Sequence, residues 1–284
     1  MGTELFEKCL RETETVAENV YFHVLGEPTL HPGFGMFLKK LEQTSLKLNL
    51  TTNGTTIARV GKLILASPAV RQVNFSTHAY AELPQDDALR HLQDVLDFCK
   101  MANALRPDLY INLRLWNVGD AASNSWNETM LAKVNESLCN AVNGAGSGQQ
   151  ISLEHFCSRH KSFNVTGRIY LHQDSRFEWP VVRQAHQPKN KITEPAEVTF
   201  EASCSIVPGT CRALDTHVAI LHDGRVVACC LDYSGQIILG NIANQSLTEI
   251  LDSPTAKNLR EGFEKNELRH PLCQSCNFCK RFKC

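Results

Sequence analysis

From Cys204 to Cys284, 81 residues hold eight of the chain's twelve cysteines: Cys204, Cys211, Cys229, Cys230, Cys273, Cys276, Cys279 and Cys284. Thiols at this density are tied to one another or to a metal, and either tie fixes how far apart their segments can lie. A disulfide framework, a zinc site and an iron–sulfur site all fit the count. Cys273-Gln-Ser-Cys276 lets one short turn aim two sulfurs at one metal, and a hairpin through Val218–Cys230 can bring two more.

The compartment bears on the choice. The N-terminus, MGTELFEKCLRETETVAEN, alternates charge with apolar residues at helical spacing and lacks the apolar core of a signal peptide. No stretch approaches the roughly 20 apolar residues of a membrane helix, so a cytoplasmic, soluble protein is expected. Reducing conditions there disfavour disulfides and favour metal ligands or inert thiols. Cys9, Cys99 and Cys139 sit in apolar helical patterns and read as buried hydrophobes, while Cys157 is undecided. A formal net charge of -1 with interspersed signs leaves no basic stripe and argues against nucleic-acid binding.

The first two thirds alternate strand and helix. Residues 1–18 read as a helix, Val20–Leu25 as a buried strand closed by Gly26-Glu27-Pro28, and Pro32-Gly33 as the opening of a helix through Leu41. Strand Leu46–Thr52 ends at Asn53-Gly54, helix Ile57–Ala66 precedes strand Gln72–Thr77, and helix Asp87–Leu105 precedes strand Leu109–Trp116. Helix Glu128–Val142 leads into a Gly/Ser-rich stretch, and Arg168–His172 reads as a further strand. This βαβ spacing predicts a parallel sheet with helical crossovers. The polar, proline-containing residues 184–203 read as a linker or a long surface loop. The expected division is 1–183, linker 184–203, and a cysteine-rich module 204–284 with a hairpin turning at Asp223-Gly224.

Active sites of such sheets gather at the C-terminal strand ends. Those ends carry Gly26-Glu27-Pro28, Thr52-Asn53-Gly54, Ser76-Thr77-His78, Arg114 with Asn117, and His172. Each has an ordinary reading as turn, cap or surface pair; the recurrence of polar groups at one position is the signal.

The segment YFHVLGEPTLHPGF resembles the "GGEP" region of radical S-adenosylmethionine enzymes, with Leu25 in place of one glycine. LNLTTNGT resembles the next strand of that family, and NFSTHA and LRLWN its ribose- and carboxylate-binding strand ends. The tail resembles a SPASM-type auxiliary-cluster module through Cys211, Gly224 and Cys229 and the phrase CCLDYSGQIILGNIANQSLTEILDSPTAKNLR ahead of Cys273 and Cys276. The resemblance implies an α/β fold: a partial (β/α) TIM-like barrel lacking its first strand, followed by a small cysteine-rich module. It also implies an oxidoreductase-type radical modification of a peptide or other organic substrate, with an electron donor as partner.

By that resemblance Gly26, Glu27 and Pro28 hold the amino group of S-adenosylmethionine, Asn53 shapes the pocket floor, Ser76 contacts the ribose and Arg114 forks onto the carboxylate. His78, Asn117 and His172 reach towards substrate. The auxiliary [4Fe–4S] cluster takes Cys211, Cys229, Cys273 and Cys276. Cys230, one residue along a strand from Cys229, is expected to face away. Cys204, Cys279 and Cys284 depart from the two-cluster spacing, so one auxiliary cluster is expected.

The family's C-x3-C-x2-C, whose thiolates hold the S-adenosylmethionine-cleaving cluster, has no counterpart: only Cys9 precedes Gly26. Two expectations follow. The chain is a truncated or degenerate relative whose Val20–Leu25 strand lies at an exposed edge, or it is a non-catalytic iron–sulfur or zinc-binding protein that uses the barrel remnant as a docking surface.

Overall fold

The computed structural model describes residues 1–118, 121–139, 151–153, 162–173, 180 and 206–279. Cys157, Cys204, Cys284 and the linker expected at 184–203 fall outside these residues. Contacts divide the chain into one unit of Thr13–Arg176 and another of Met1–Glu12 with Phe177–Cys284. The division falls inside the first helix, α1 (Thr3–Glu14).

The Thr13–Arg176 unit alternates β1 (Asn19–Phe22), α2 (Phe34–Leu41), β2 (Lys47–Thr52), α3 (Ile57–Ala66), β3 (Val70–Phe75), α4 (Gln85–Leu105), β4 (Tyr110–Leu115), α5 (Asn124–Val134), β5 (Ser162–Thr166) and β6 (Ile169–Gln173). The sheet runs β1-β2-β3-β4-β6-β5. Neighbours are parallel except β5, which is antiparallel to β6. The expected α/β architecture is therefore present, with five strands within a few residues of their predicted places. β5 was not anticipated: S-F-N-V-T is largely open to solvent and carries no buried alternation. Helix α5 starts earlier than expected and gives way to a π-helical turn, Asn135–Cys139. Cys9 and Cys99 are buried as expected, whereas Cys139 is only half-buried.

Period-two alternation gives the sheet two unlike faces. Leu48, Leu50, Val73, Phe75, Ile111, Leu113 and Leu171 are fully buried on one face. Each such side chain stabilises the fold by roughly 1.5–3 kcal/mol relative to exposure. Register places Asn49 beside Gln72, Thr51 beside Asn74, Asn74 beside Asn112, and Arg114 beside His172 on the opposite face. That face is stitched by side-chain amides. Asn74 is buried; its Oδ1 accepts from Gln72 Nε2 (2.7 Å) and Asn112 Nδ2 (2.9 Å), and its Nδ2 donates to Leu50 O (3.2 Å).

In the other unit, Leu5 and Cys9 of α1 pack into a core with Val226, Ile250, Leu259 and Phe263. Lys8 Nζ donates to Ala243 O (2.9 Å), and Glu12 Oε2 accepts from Leu247 N (3.0 Å) at the start of α6 (Leu247–Leu251). β7 (Val207–Pro208) pairs with β11 (Glu267–Leu268), and β8 (Ala219–Ile220), β9 (Arg225–Val227) and β10 (Ile238–Asn241) form an antiparallel sheet. Helix α7 (Pro254–Glu264) starts with proline in its first turn and with Ser253 Oγ accepting from Ala256 N. A last short helix, α8 (Pro271–Ser275), carries Cys273.

Gly54 closes the β2 exit at φ +75°, and a Cβ there would stand 2.6 Å from Tyr80 Oη and 2.8 Å from Val95 Cγ2. A left-handed backbone costs an L-residue roughly 1–2 kcal/mol and overpacking a further 1–3. Gly54→Ala is expected to lower stability by about 2–4 kcal/mol in urea unfolding. A loss below about 1 kcal/mol would mean that the turn relaxes around the methyl group.

Candidate functional site

Because β1 to β4 are parallel neighbours, their C-terminal ends share one side of the sheet, and Gly26, Glu27, Pro28, Asn53, Ser76 and Arg114 all fall there. Gly26 holds φ +102°. Glu27 follows in extended conformation and caps the 3₁₀ turn Pro28–Leu30. Its Oε1 accepts from Thr29 N (3.0 Å), Thr29 Oγ1 (2.5 Å) and Thr52 Oγ1 (2.8 Å), and its Oε2 from Asn53 N (2.6 Å). The carboxylate thus ties the β1 exit to the β2 exit. Asn53 is also structural: its Oδ1 accepts from Thr55 N (3.0 Å), and its carbonyl accepts from Tyr80 Oη (2.5 Å). Burial pushes the Tyr80 phenol well up, and the charges of Glu27 and Asp94 add to this.

A second network joins the β3 and β4 ends. Thr77 Oγ1 donates to Arg114 O (2.9 Å), His78 Nδ1 lies 3.3 Å from the same oxygen, and Trp126 Nε1 donates to Thr77 O (3.1 Å). His78 stacks on Trp116 (5.5 Å, 12°), and the Arg114 guanidinium lies 4.8 Å above the Trp116 ring. Ser76 N donates to Thr52 O (2.9 Å). Asn117 is 3% exposed, and among the described residues neither of its carboxamide atoms has a hydrogen-bond partner. Such a group costs about 1–3 kcal/mol unless water or a ligand meets it.

The strand-end reading missed the polar face behind these ends. Its signal lies in the alternation of L-N-L-T, V-N-F-S and I-N-L-R-L, where every second residue is amide, hydroxyl or guanidinium. A sheet face that only had to be covered would not need them.

In the other unit the cysteines converge. Cys211, Cys229, Cys230, Cys273 and Cys276 are close enough to feel one another's charge, and Cys279 is in range of Cys273. Burial pushes the Cys229 thiol up to about 12, with Cys230 and Cys211 adding to the rise. Burial raises Cys273 well above its ordinary value, and also raises Cys211 and Cys230. Backbone N–H groups counter this: Ala213 N donates to Cys211 Sγ (3.5 Å), and Leu231 and Asp232 donate to Cys229. Cys279 Sγ donates to Cys276 O (2.9 Å). Strand β9 ends at Val227, so the alternation that was to turn Cys230 away does not apply, and Cys230 lies in range of Cys211 and Cys276. Among the described residues no group of three His, Cys, Asp or Glu is already arranged to hold a metal ion. The donor set nonetheless suits a soft metal: buried sulfurs that raise one another's pKa, met by N–H donors, are what a cationic centre stabilises as thiolates.

Residues 211–280 match the SPASM family, an iron-sulfur cluster-binding domain. The family match bears out the resemblance drawn for the tail. Among solved structures the chain is similar to Streptococcus suis SuiB bound to S-adenosylmethionine, at 16% identity and TM-score 0.54, covering 99% of this chain and 64% of that one. It is also similar to SuiB bound to precursor peptide SuiA, at 14% identity and TM-score 0.52, covering 97% and 64%. These likenesses establish the fold, and they agree with the partial barrel expected from sequence. Comparison with curated proteins finds no match.

The turn after Cys229-Cys230 is held by Asp232, fully buried, whose Oδ1 and Oδ2 accept from Gln236 N and Ile237 N at 2.7 Å each. Asp232→Ala leaves two inward N–H groups without acceptors, and a loss of about 2–4 kcal/mol is expected. Iron bound per chain should fall in parallel; unchanged iron and melting temperature would show the turn to be held by its backbone alone.

Proposed function

We propose that this chain is an iron–sulfur protein of the radical S-adenosylmethionine/SPASM type. Cys211, Cys229, Cys273 and Cys276 hold an auxiliary [4Fe–4S] cluster, and the strand ends bind S-adenosylmethionine. The observation that carries the reading is the gathering of buried sulfurs within the residues that match the cluster-binding family. A bound cluster would supply one-electron chemistry or an anchoring iron. Cys230 and Cys279 lie in electrostatic range of this set without being assigned to it.

At the strand ends, the exposed turn at Gly26, with φ +102°, leaves backbone carbonyls for an ammonium group. Glu27 acts by holding that turn against Asn53, since its oxygens are already engaged. Ser76 serves the ribose, and Arg114, already stacked on Trp116, serves the carboxylate. The SuiB structures, one with S-adenosylmethionine and one with a precursor peptide, support a peptide as substrate.

No C-x3-C-x2-C occurs in these 284 residues. Radical cleavage of S-adenosylmethionine therefore needs a cluster from residues outside them, and the second reading, a binding protein that keeps the fold without turnover, rests on the same observation. Anaerobic reconstitution separates the possibilities. About four irons and four sulfides per chain with a brown chromophore are expected, together with binding of S-adenosylmethionine and no 5′-deoxyadenosine. Cys211→Ser and Cys273→Ser should each lose most of the iron. A colourless protein holding zinc would reject the cluster, and about eight irons with turnover would reject the single-cluster assignment.

A further inference from the structure

The segment after β3 ties together two other strand exits. A 3₁₀ stretch, Thr77–Glu82, begins directly after Ser76, and two of its side chains, Thr77 and Tyr80, are fully buried. A hydroxyl has one proton to donate. Each of these spends it on a main-chain carbonyl outside its own segment: Tyr80 Oη donates to Asn53 O beyond β2 (2.5 Å), and Thr77 Oγ1 to Arg114 O in β4 (2.9 Å).

The contacts continue in both directions. Asn53 N donates to Glu27 Oε2 (2.6 Å), so Asn53 is gripped at its amide by Glu27 and at its carbonyl by Tyr80. Gly54 makes that grip possible, because a Cβ there would stand 2.6 Å from Tyr80 Oη. Burial and the charges of Glu27 and Asp94 keep the phenol protonated, and therefore a donor. On its other side the Tyr80 ring meets Trp126 edge-on (5.9 Å, 69°), and Trp126 Nε1 donates to Thr77 O (3.1 Å). An unbroken path thus runs from Glu27 through Asn53, Tyr80, Trp126 and Thr77 to Arg114.

We propose that this path is a brace that fixes the separation between the ammonium subsite at Gly26-Glu27 and the carboxylate subsite at Arg114, with Thr77, Tyr80 and Trp126 as positioning residues. The proposal rests on the assignment of the strand ends to S-adenosylmethionine. The methionine end of that molecule carries its ammonium and carboxylate on one carbon, at a spacing set by covalent bonds. A site gains from both charges only if its two subsites already stand at the matching distance, and a mobile pair loses affinity in ordering itself. The brace therefore selects for an intact α-amino acid group and leaves the adenosine end indifferent.

The test is equilibrium dialysis of the anaerobically reconstituted full chain with three ligands: S-adenosylmethionine, its decarboxylated form, which keeps an amine, and 5′-methylthioadenosine, which has neither charge. Tyr80→Phe removes one hydroxyl and should weaken the two amine-bearing ligands about five- to ten-fold, leaving 5′-methylthioadenosine within about two-fold. Thr77→Val should weaken S-adenosylmethionine alone by about five-fold or more, and Thr77→Ser, which keeps the hydroxyl, should restore it. 5′-Methylthioadenosine reports on folding, since a variant that simply unfolds loses all three ligands. Unchanged S-adenosylmethionine binding in either Tyr80→Phe or Thr77→Val, or an equal loss of all three ligands, would overturn the brace while leaving the cofactor assignment standing. No S-adenosylmethionine bound by the unaltered chain would instead reject that assignment, and the brace's role with it.

Discussion

Everything in the Thr13–Arg176 unit depends on the strict alternation of side chains along parallel strands. A strand offers two faces and no third choice, so Leu48, Leu50, Val73, Phe75, Ile111 and Leu113 take the face without solvent and leave Asn49, Thr51, Gln72, Asn74, Asn112 and Arg114 on the other. A slip of one residue would exchange the sets, placing amides and a guanidinium in the apolar core and the six hydrophobes among polar groups. At roughly 1.5–3 kcal/mol for each hydrophobe, the penalty is comparable to the whole stability of an ordinary domain. Register is therefore fixed by burial, and the polar face is held in place as a consequence. The amide chain through Asn74 then locks the polar groups to one another.

The cysteine-rich unit is organised by a different constraint. Two thiolates about 6 Å apart repel by roughly 3 kcal/mol at an effective dielectric of about 20. Five or more together cannot all ionise in a partly buried site without a compensating cation. Apolar packing brings these sulfurs together: Cys211, Cys229, Cys273 and Cys276 lie at the margin of a core built from Val226, Ile250, Leu259 and Phe263. Without metal they remain protonated, as the raised pKa values of Cys211, Cys229, Cys230 and Cys273 indicate. With metal, the same burial excludes water from the centre, and the N–H groups aimed at Cys211 and Cys229 offset its negative charge.

Gly26-Glu27-Pro28 follows β1 directly, and the structure gives its carboxylate a structural role. The resemblance implied that Glu27 helps hold an amino group; in the structure four donors meet its carboxylate and tie the loop together. Those donors, Thr29, Thr52 and Asn53, belong to two strand exits, and only the folded sheet makes them neighbours. Arg114 is similar. Its position at a strand end was legible, and the structure lays its guanidinium over the ring of Trp116, two residues along the same face. Cys230 failed for a simpler reason: the alternation rule was applied past the end of β9 at Val227.

The sequence by itself determined the strand–helix order, the two faces of the sheet and the helix cap at Ser253. These are local properties, set by period, capping chemistry and residue type within a dozen residues. Tertiary structure alone decided which carboxylate was consumed internally, that β5 would add antiparallel to β6, and that Leu5 and Cys9 of the first helix would complete the core of the cysteine-rich unit. Each of those depends on contacts between segments distant in the chain, whose closure entropy and mutual burial no local pattern records.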